Sequence, residues 1–133
     1  IANATFADSD LSYDNMNSLE GQFVLNGLSD SANLIGIYEK DGLSVRLAYN
    51  WRDDFLAGVG QGQGTYTNPT NVKAYGQWDL GVTYEVNDRM TIYASGLNIT
   101  DETVHVYGLT EDQVLQAVQG GARYDVALRY KLF

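Results

Sequence analysis

Gly120-Gly121-Ala122-Arg123-Tyr124-Asp125-Val126-Ala127-Leu128-Arg129-Tyr130-Lys131-Leu132-Phe133 is the stretch on which the fold is decided. From Arg123 onward, polar and apolar residues alternate. Arg123, Asp125, Arg129 and Lys131, with Ala127 among them, point one way; Tyr124, Val126, Leu128, Tyr130 and Leu132 point the other. Side chains on a strand alternate faces with period two, so this is one strand with a charged face and an apolar face. The stretch ends on an aromatic residue with no polar tail. Termini of soluble domains are usually solvated and frayed, whereas a transmembrane β-barrel closes on an amphipathic strand.

Working back from that strand, the same alternation recurs. Asn33 to Lys40 reads as a strand, Asp41-Gly42 as a two-residue type I′ turn, and Leu43 to about Phe55 as the returning strand. The turn sets a register in which Lys40 lies opposite Leu43, Tyr38 opposite Val45, Gly36 opposite Leu47 and Leu34 opposite Tyr49. On the other face Ile37 meets Arg46, Ile35 meets Ala48 and Asn33 meets Asn50. Val72 to Val86 alternates again, with Trp78, Leu80, Val82, Tyr84 and Val86 on one face and Gln77, Asp79, Gly81, Thr83 and Glu85 on the other. Asn87-Asp88 marks a tight turn, and Met90 to about Asn98 a further strand whose phase slips near Gly96, as at a bulge. Ile1 to about Phe6 is a short, weakly alternating strand. The strand from Leu43 to about Phe55, by contrast, is long enough for a tilted crossing of a bilayer in about 9–11 residues.

The connections alternate in length. Residues 8–31, 58–71 and 103–119 are long; the two hairpin turns are short. Bacterial outer-membrane barrels have long extracellular loops and short periplasmic turns, so the expected fold is all-β, an antiparallel up-and-down transmembrane barrel segment of about six strands. Within the last long loop, Thr110 and Gln113 make a capping-box pattern and Val114, Leu115 and Val118 share a helical face, which predicts one short helix. Tyr38, Tyr49, Trp51, Trp78, Tyr84 and Tyr130 fall toward strand ends, where aromatic girdles sit.

Composition narrows the function classes. The chain has 133 residues, 17 acids against 8 bases, a net charge of −9 and no cysteine. That balance opposes nucleic-acid binding, which asks for basic patches. No apolar run is long enough for a transmembrane helix. A mean hydropathy of −0.25 suits a soluble domain and a barrel alike, since half of each barrel strand faces water. The chain begins at Ile1 without an initiator Met, and reads as a piece of a longer polypeptide. His105 is the only histidine, so no His-based metal site or triad can be assembled. The Gly58, Gly60, Gly62, Gly64 series lacks the Lys-Ser/Thr and helix of a phosphate loop and reads as a flexible loop. Asp53-Asp54 and Glu111-Asp112 are acid pairs of the kind that holds a cation but more commonly forms a solvated loop face. Asn98-Ile99-Thr100 fits a glycosylation sequon, irrelevant to a bacterial protein. No catalytic constellation and no cofactor motif emerges, and an enzyme is not expected. The polar strand faces supply the binding candidates: Arg46, Asn50, Arg52, Gln77, Asp79, Arg123, Asp125 and Arg129.

Tyr38 to Arg52 resembles the "YEKxGxSxRxxYNWR" hairpin of TonB-dependent outer-membrane receptors. Gly27-Leu28-Ser29 with Ala32-Asn33-Leu34 is similar to that family's approach to the hairpin, and Asn98-Ile99-Thr100-Asp101-Glu102 to its segment near the penultimate strand. Arg123-Tyr124 and the terminal Tyr-Lys-Leu-Phe complete the likeness, although the family usually ends Tyr-x-Phe and two residues separate Tyr130 from Phe133 here. The resemblance spans nearly the whole chain. It implies the C-terminal part of a plugged barrel of about 22 strands, with the plug and about sixteen strands lying elsewhere. It also implies contact with outer-membrane lipid, with the rest of the barrel and its plug, with the TonB system through the plug, and with the barrel-assembly machinery through the last strand. The implied function is energised uptake of a scarce nutrient: siderophore-iron, cobalamin or an oligosaccharide. The eight candidates would then face the lumen, toward plug or ligand. The rival expectation is a secreted β-sandwich that binds glycan or acts as an adhesin, with the apolar face buried under a second sheet. Beside a plug or on a sandwich surface, Asp79→Leu is expected to be tolerated.

Overall fold

The fold is that of a computed structural model, which describes residues 1–7, 25–59, 61–62, 65–66 and 69–132. It is all-β, with antiparallel pairing throughout. In chain order the strands are β1 (Ala2–Thr5), β2 (Ser31–Lys40), β3 (Leu43–Arg52), β4 (Phe55–Gly58), β5 (Gln61–Gly62) and β6 (Thr65–Tyr66). There follow β7 (Thr70–Val72), β8 (Tyr75–Asn87), β9 (Met90–Leu97), β10 (Thr103–Tyr107), β11 (Val114–Gln119) and β12 (Arg123–Tyr130). Six of them form one meandering sheet in the order β1-β2-β3-β8-β9-β12.

A second sheet has the order β11-β10-β7-β4. That order repeats β12-β9-β8-β3 strand for strand. Each strand of the second sheet continues its counterpart after a break: Asp53-Asp54 between β3 and β4, Lys73-Ala74 between β7 and β8, residues 98–102 between β9 and β10, and residues 120–122 between β11 and β12. The two sheets are one set of hairpins interrupted at staggered points, β3–β8 pairing as far as Arg52 opposite Tyr75 and β8–β9 only as far as Leu80 opposite Gly96, and β5 pairs with β6 beyond the β4–β7 arm.

The β2–β3 hairpin has the register that the Asp41-Gly42 turn predicts, from Lys40 opposite Leu43 to Asn33 opposite Asn50. Asp41 and Gly42 both take positive φ, 49° and 78°, which matches the right-handed strand twist. Register then separates the residues of the large sheet cleanly. One face carries Leu34, Tyr38, Val45, Leu47, Tyr49, Trp51, Trp78, Leu80, Val82, Tyr84, Ile92, Ala94, Tyr124, Val126, Leu128 and Tyr130. It is apolar, aromatic or glycine from edge to edge, apart from Lys40 and Asn87 beside the tight turns. Tyr49 stacks on its cross-strand neighbour Trp78, with ring centroids 4.7 Å apart. Glycine makes room for this: a Cβ at Gly76 would fall 2.2 Å from the Tyr49 hydroxyl.

Among the described residues no layer covers the apolar face. Val126 is 80% exposed, Leu128 65% and Leu34 54%. The buried apolar side chains of aliphatic residues are, among the described residues, only Ala48 and Val72. A two-layer domain buries one face of its sheet against another element; none of the described elements does that here.

Several sequence expectations are corrected. The helix predicted from Thr110, Gln113, Val114, Leu115 and Val118 is absent. Residues 103–119 instead form the β10–β11 hairpin. Thr110 and Gln113 close its tip, the Gln113 N–H donating to the Thr110 carbonyl at 2.9 Å and the Leu109 N–H to Gln113 Oε1 at 2.9 Å. The segment from Thr103 to Val106, with β-branched Thr103, Val104 and Val106, offers a pairing partner, and strand pairing overrides a weak helical signal. The segment 58–71, expected as a loop, carries β5, β6 and much of β7. The long strands expected to end near Phe55 and to begin at Val72 are each broken, at Asp53-Asp54 and at Lys73-Ala74. The irregularity lies between Glu85 and Asn87 in β8, while β9 stays in register with β12 through Gly96. Gly96 is there because the Tyr124 ring lies across it, 3.2 Å from where a Cβ would stand. The second tight turn is centred on Asp88-Arg89, one residue later than expected. The Asn87 side-chain oxygen accepts from the Arg89 and Met90 N–H groups, each at 2.9 Å. Most of the 8–31 connection, and Phe133, lie outside the described residues.

Candidate functional site

All eight binding candidates lie on the polar face. Arg46, Asn50 and Arg52 sit at even positions of β3, Gln77 and Asp79 at odd positions of β8, and Arg123, Asp125 and Arg129 at odd positions of β12. Register brings some of them together. Asn50 pairs with Gln77, and Ala48 with Asp79. The Asp79 carboxylate accepts from Gln77 Nε2 at 2.7 Å, from Asn50 Nδ2 at 3.3 Å and from the Asn98 backbone N–H at 3.0 Å. Asn33 Nδ2 donates in turn to Asn50 Oδ1. Four adjacent strands are thus linked at one level by a ladder of amides ending on one carboxylate.

Asp79 also fixes the chain where β9 ends. Asn98 takes a positive φ of 53° and Asp101 one of 54°. Asn98 Nδ2 donates to the Glu102 carbonyl at 3.1 Å and Asn98 Oδ1 accepts the Glu102 N–H at 2.9 Å. Asparagine and aspartate tolerate the left-handed region because their short polar side chains bond locally. Asp79→Leu is therefore not the tolerated change that a solvated surface position implies. It strands three donors and should lower stability by about 1–3 kcal/mol. Asp79→Asn, keeping one acceptor oxygen, should lose less. Chemical denaturation of the two variants measures this, and a neutral Asp79→Leu would show that the ladder adds nothing.

Arg52 is committed to structure. Its Nε donates to Ser29 Oγ at 2.9 Å and Nη2 donates to the Gly27 carbonyl. Its guanidinium lies 3.8 Å from the centroid of Phe55. It fastens the approach segment onto the start of the outer sheet, and is not a free lumenal cation. Arg46, Arg123, Asp125 and Arg129 form no ion pair among the described residues.

Among the described residues, the candidates line two hollows of the polar face. The upper one, about 340 Å³, lies where the two sheets meet and is walled by Tyr75, Gln77, Asn98, Glu102, Val104 and Arg123, with Val118, Gly120 and Gly121 at its rim. The lower one, about 420 Å³, is lined by Arg46, Asp125, Ser44, Thr83, Tyr93 and Ser95 among others. Of the candidates, Gln77 and Arg123 reach the first and Arg46 and Asp125 the second; Arg129 lines neither. Sequence reasoning missed Tyr75, Glu102 and Tyr93. Tyr75 and Tyr93 had a readable signal, being aromatic residues on otherwise polar alternation positions. Glu102 had none, because it lies in an irregular segment.

The outer sheet is held by its own contacts. Lys73 Nζ meets Glu111 Oε2 at 2.6 Å, and Asn71 Nδ2 donates to the Gly108 carbonyl at 2.8 Å. The hydrogen bond and charge of Glu111 hold the Lys73 ammonium above its usual pKa, with Asp54 adding to the effect. Burial pushes the Tyr107 phenol up, and the charges of Asp54 and Glu111 push it further. Of the two acid pairs, Asp54 accepts the Ala74 N–H and Glu111 takes Lys73. No group of three metal-ligating side chains occurs among the described residues. Comparison with protein-family models, with curated proteins and with solved structures found no match to this chain.

Proposed function

We propose that this chain is wall and outer loops of a TonB-dependent transporter in the Gram-negative outer membrane, one that takes up a scarce nutrient too large for a porin. The observation that carries the reading is the apolar face. Six paired strands present it continuously, with nothing laid over it among the described residues, while the reverse face carries most of the charged and amide side chains. In water an exposed apolar surface of that extent is untenable; against lipid it is the outer wall of a barrel. Aromatic residues stand near both strand ends, as at the two membrane interfaces. The open backbone edges of β1 and β12 would cost several kcal/mol per unpaired group in hydrocarbon, so both edges pair with the remaining strands of the barrel. Arg46, Asn50, Gln77, Asp79, Arg123, Asp125 and Arg129 then face the lumen and the plug, through which the TonB system acts. The last strand is what the barrel-assembly machinery reads. A β-sandwich module asks for a second sheet over Leu80 and Val126, and no observation favours it.

The test is the mass and behaviour of the natural polypeptide carrying this sequence. In purified outer membranes it should run as a band of receptor size whose mobility changes on heating. A free species near 14.7 kDa in the soluble fraction would overturn the reading.

A further inference from the structure

We infer that the upper hollow is a binding subsite for a neutral, polyhydroxylated ligand, a sugar ring of a saccharide. This rests on the transporter reading and names its substrate class. The hollow occupies the polar face where β9 gives way to β10 and β11 to β12, so strand pairing does not fill it. Its walls combine two kinds of surface. Tyr75, Val104 and Val118 give apolar area, and Tyr75 is the aromatic residue that interrupts the polar alternation of β8. Gln77, Glu102 and Arg123 give a planar amide, a planar carboxylate and a planar guanidinium. Each can engage two neighbouring hydroxyls, as donor, acceptor or both. A pyranose ring asks for that pairing of an apolar ring face with hydroxyls around its edge.

The charges argue for a neutral ligand. Glu102 and Arg123 line the same hollow and form no ion pair with each other, and neither side chain has a partner among the described residues. A hydrated sugar edge between them satisfies both. Asp79 lies next to Gln77, and the chain carries a net charge of −9. That field opposes a polyanionic iron chelate, for which one Arg123 offers little compensation. Gly120 and Gly121 leave the rim open, since a Cβ at either position would meet nothing within 4 Å.

The experiment uses the receptor-size protein purified from outer membranes in detergent, screened on an array of neutral oligosaccharides, with ferric citrate titrated as the anionic probe. Binding to at least one neutral saccharide is expected, with affinity lowered at least tenfold by Tyr75→Ala and by Glu102→Gln. Glu85→Gln, at the turn end of the polar face, should bind as the parent does. Heat-shifted mobility of each variant establishes that it is folded. Tyr75→Phe should retain most of the binding if the ring face is what the sugar meets. A folded, outer-membrane protein that binds no array saccharide, or binds one with Tyr75→Ala and Glu102→Gln unchanged, overturns the subsite and leaves the transporter reading standing. Tight ferric citrate binding without saccharide binding does the same. A soluble 14.7 kDa species that binds saccharide through Tyr75 would instead overturn the transporter reading and keep the subsite.

Discussion

Leu80→Arg should lower the stability of the folded protein by about 2–4 kcal/mol when folding is measured by urea titration in lipid bilayers. Leu80 stands on the apolar face beside Leu47 on one side and Gly96 on the other, well inside the span of β8. In a barrel the cost of a charge on this face depends on depth and falls to about 0–1 kcal/mol at the interfaces. Leu43→Arg, next to the Asp41-Gly42 turn, should therefore cost far less. Its cross-strand neighbour Lys40 already places an ammonium on the apolar face at that level. On the polar face, Gly81→Glu should be close to neutral, because a side chain there meets open space and Arg46 stands directly opposite. The informative result is the gradient. Equal penalties at Leu43 and Leu80 would mean that the face is covered by protein along its whole length, and the lipid-facing reading would fall.

Much of this arrangement was legible before any coordinates. Period-two alternation placed β2, β3, β8 and β12, and the Asp41-Gly42 pair predicted the full β2–β3 register. Those signals are local and redundant: a slip of one residue would turn every side chain over. The segments where reading failed lack that redundancy. Val114 to Gln119 carries apolar residues at spacings that suit a helix as well as a strand, and only the neighbouring β10 decides between them. The break between the sheets was invisible because Asp53-Asp54, Lys73-Ala74 and Gly120-Gly121 are far apart in sequence, and only pairing brings their strands into one sheet. The polar face was recognised residue by residue, yet its organisation was not. Asp79 looked like one of eight equivalent candidates, and Arg52 like another. Pairing makes the first a three-donor acceptor and the second a strut.

The turn that made the register readable should also be among the most sensitive positions. Gly42 has φ 78°, a conformation that costs an L-residue roughly 1–2 kcal/mol. A Cβ there would stand 3.1 Å from the Glu85 carbonyl oxygen and 3.3 Å from Glu85 Cβ. That carbonyl cannot easily retreat, because the Glu85 N–H donates to the Gly42 carbonyl at 2.8 Å and ties β8 to the turn. Gly42→Val, whose branched side chain is the least suited to positive φ, should cost about 2–3 kcal/mol in a denaturant titration, as a lower midpoint at unchanged slope. Gly42→Ala should fall between, and Gly42→Asn should cost least, since asparagine visits this region most readily after glycine. A stable Gly42→Val would mean that the hairpin tolerates a different turn. With a different loop length the pairing would shift, and a shift of one residue would carry Glu39 and Arg46 onto the apolar face. The same substitution therefore separates two causes of register. If the turn dictates it, Val loses stability in proportion to strain. If the alternating faces dictate it, the turn yields and the register persists, because two charges on the apolar face cost more than a distorted turn.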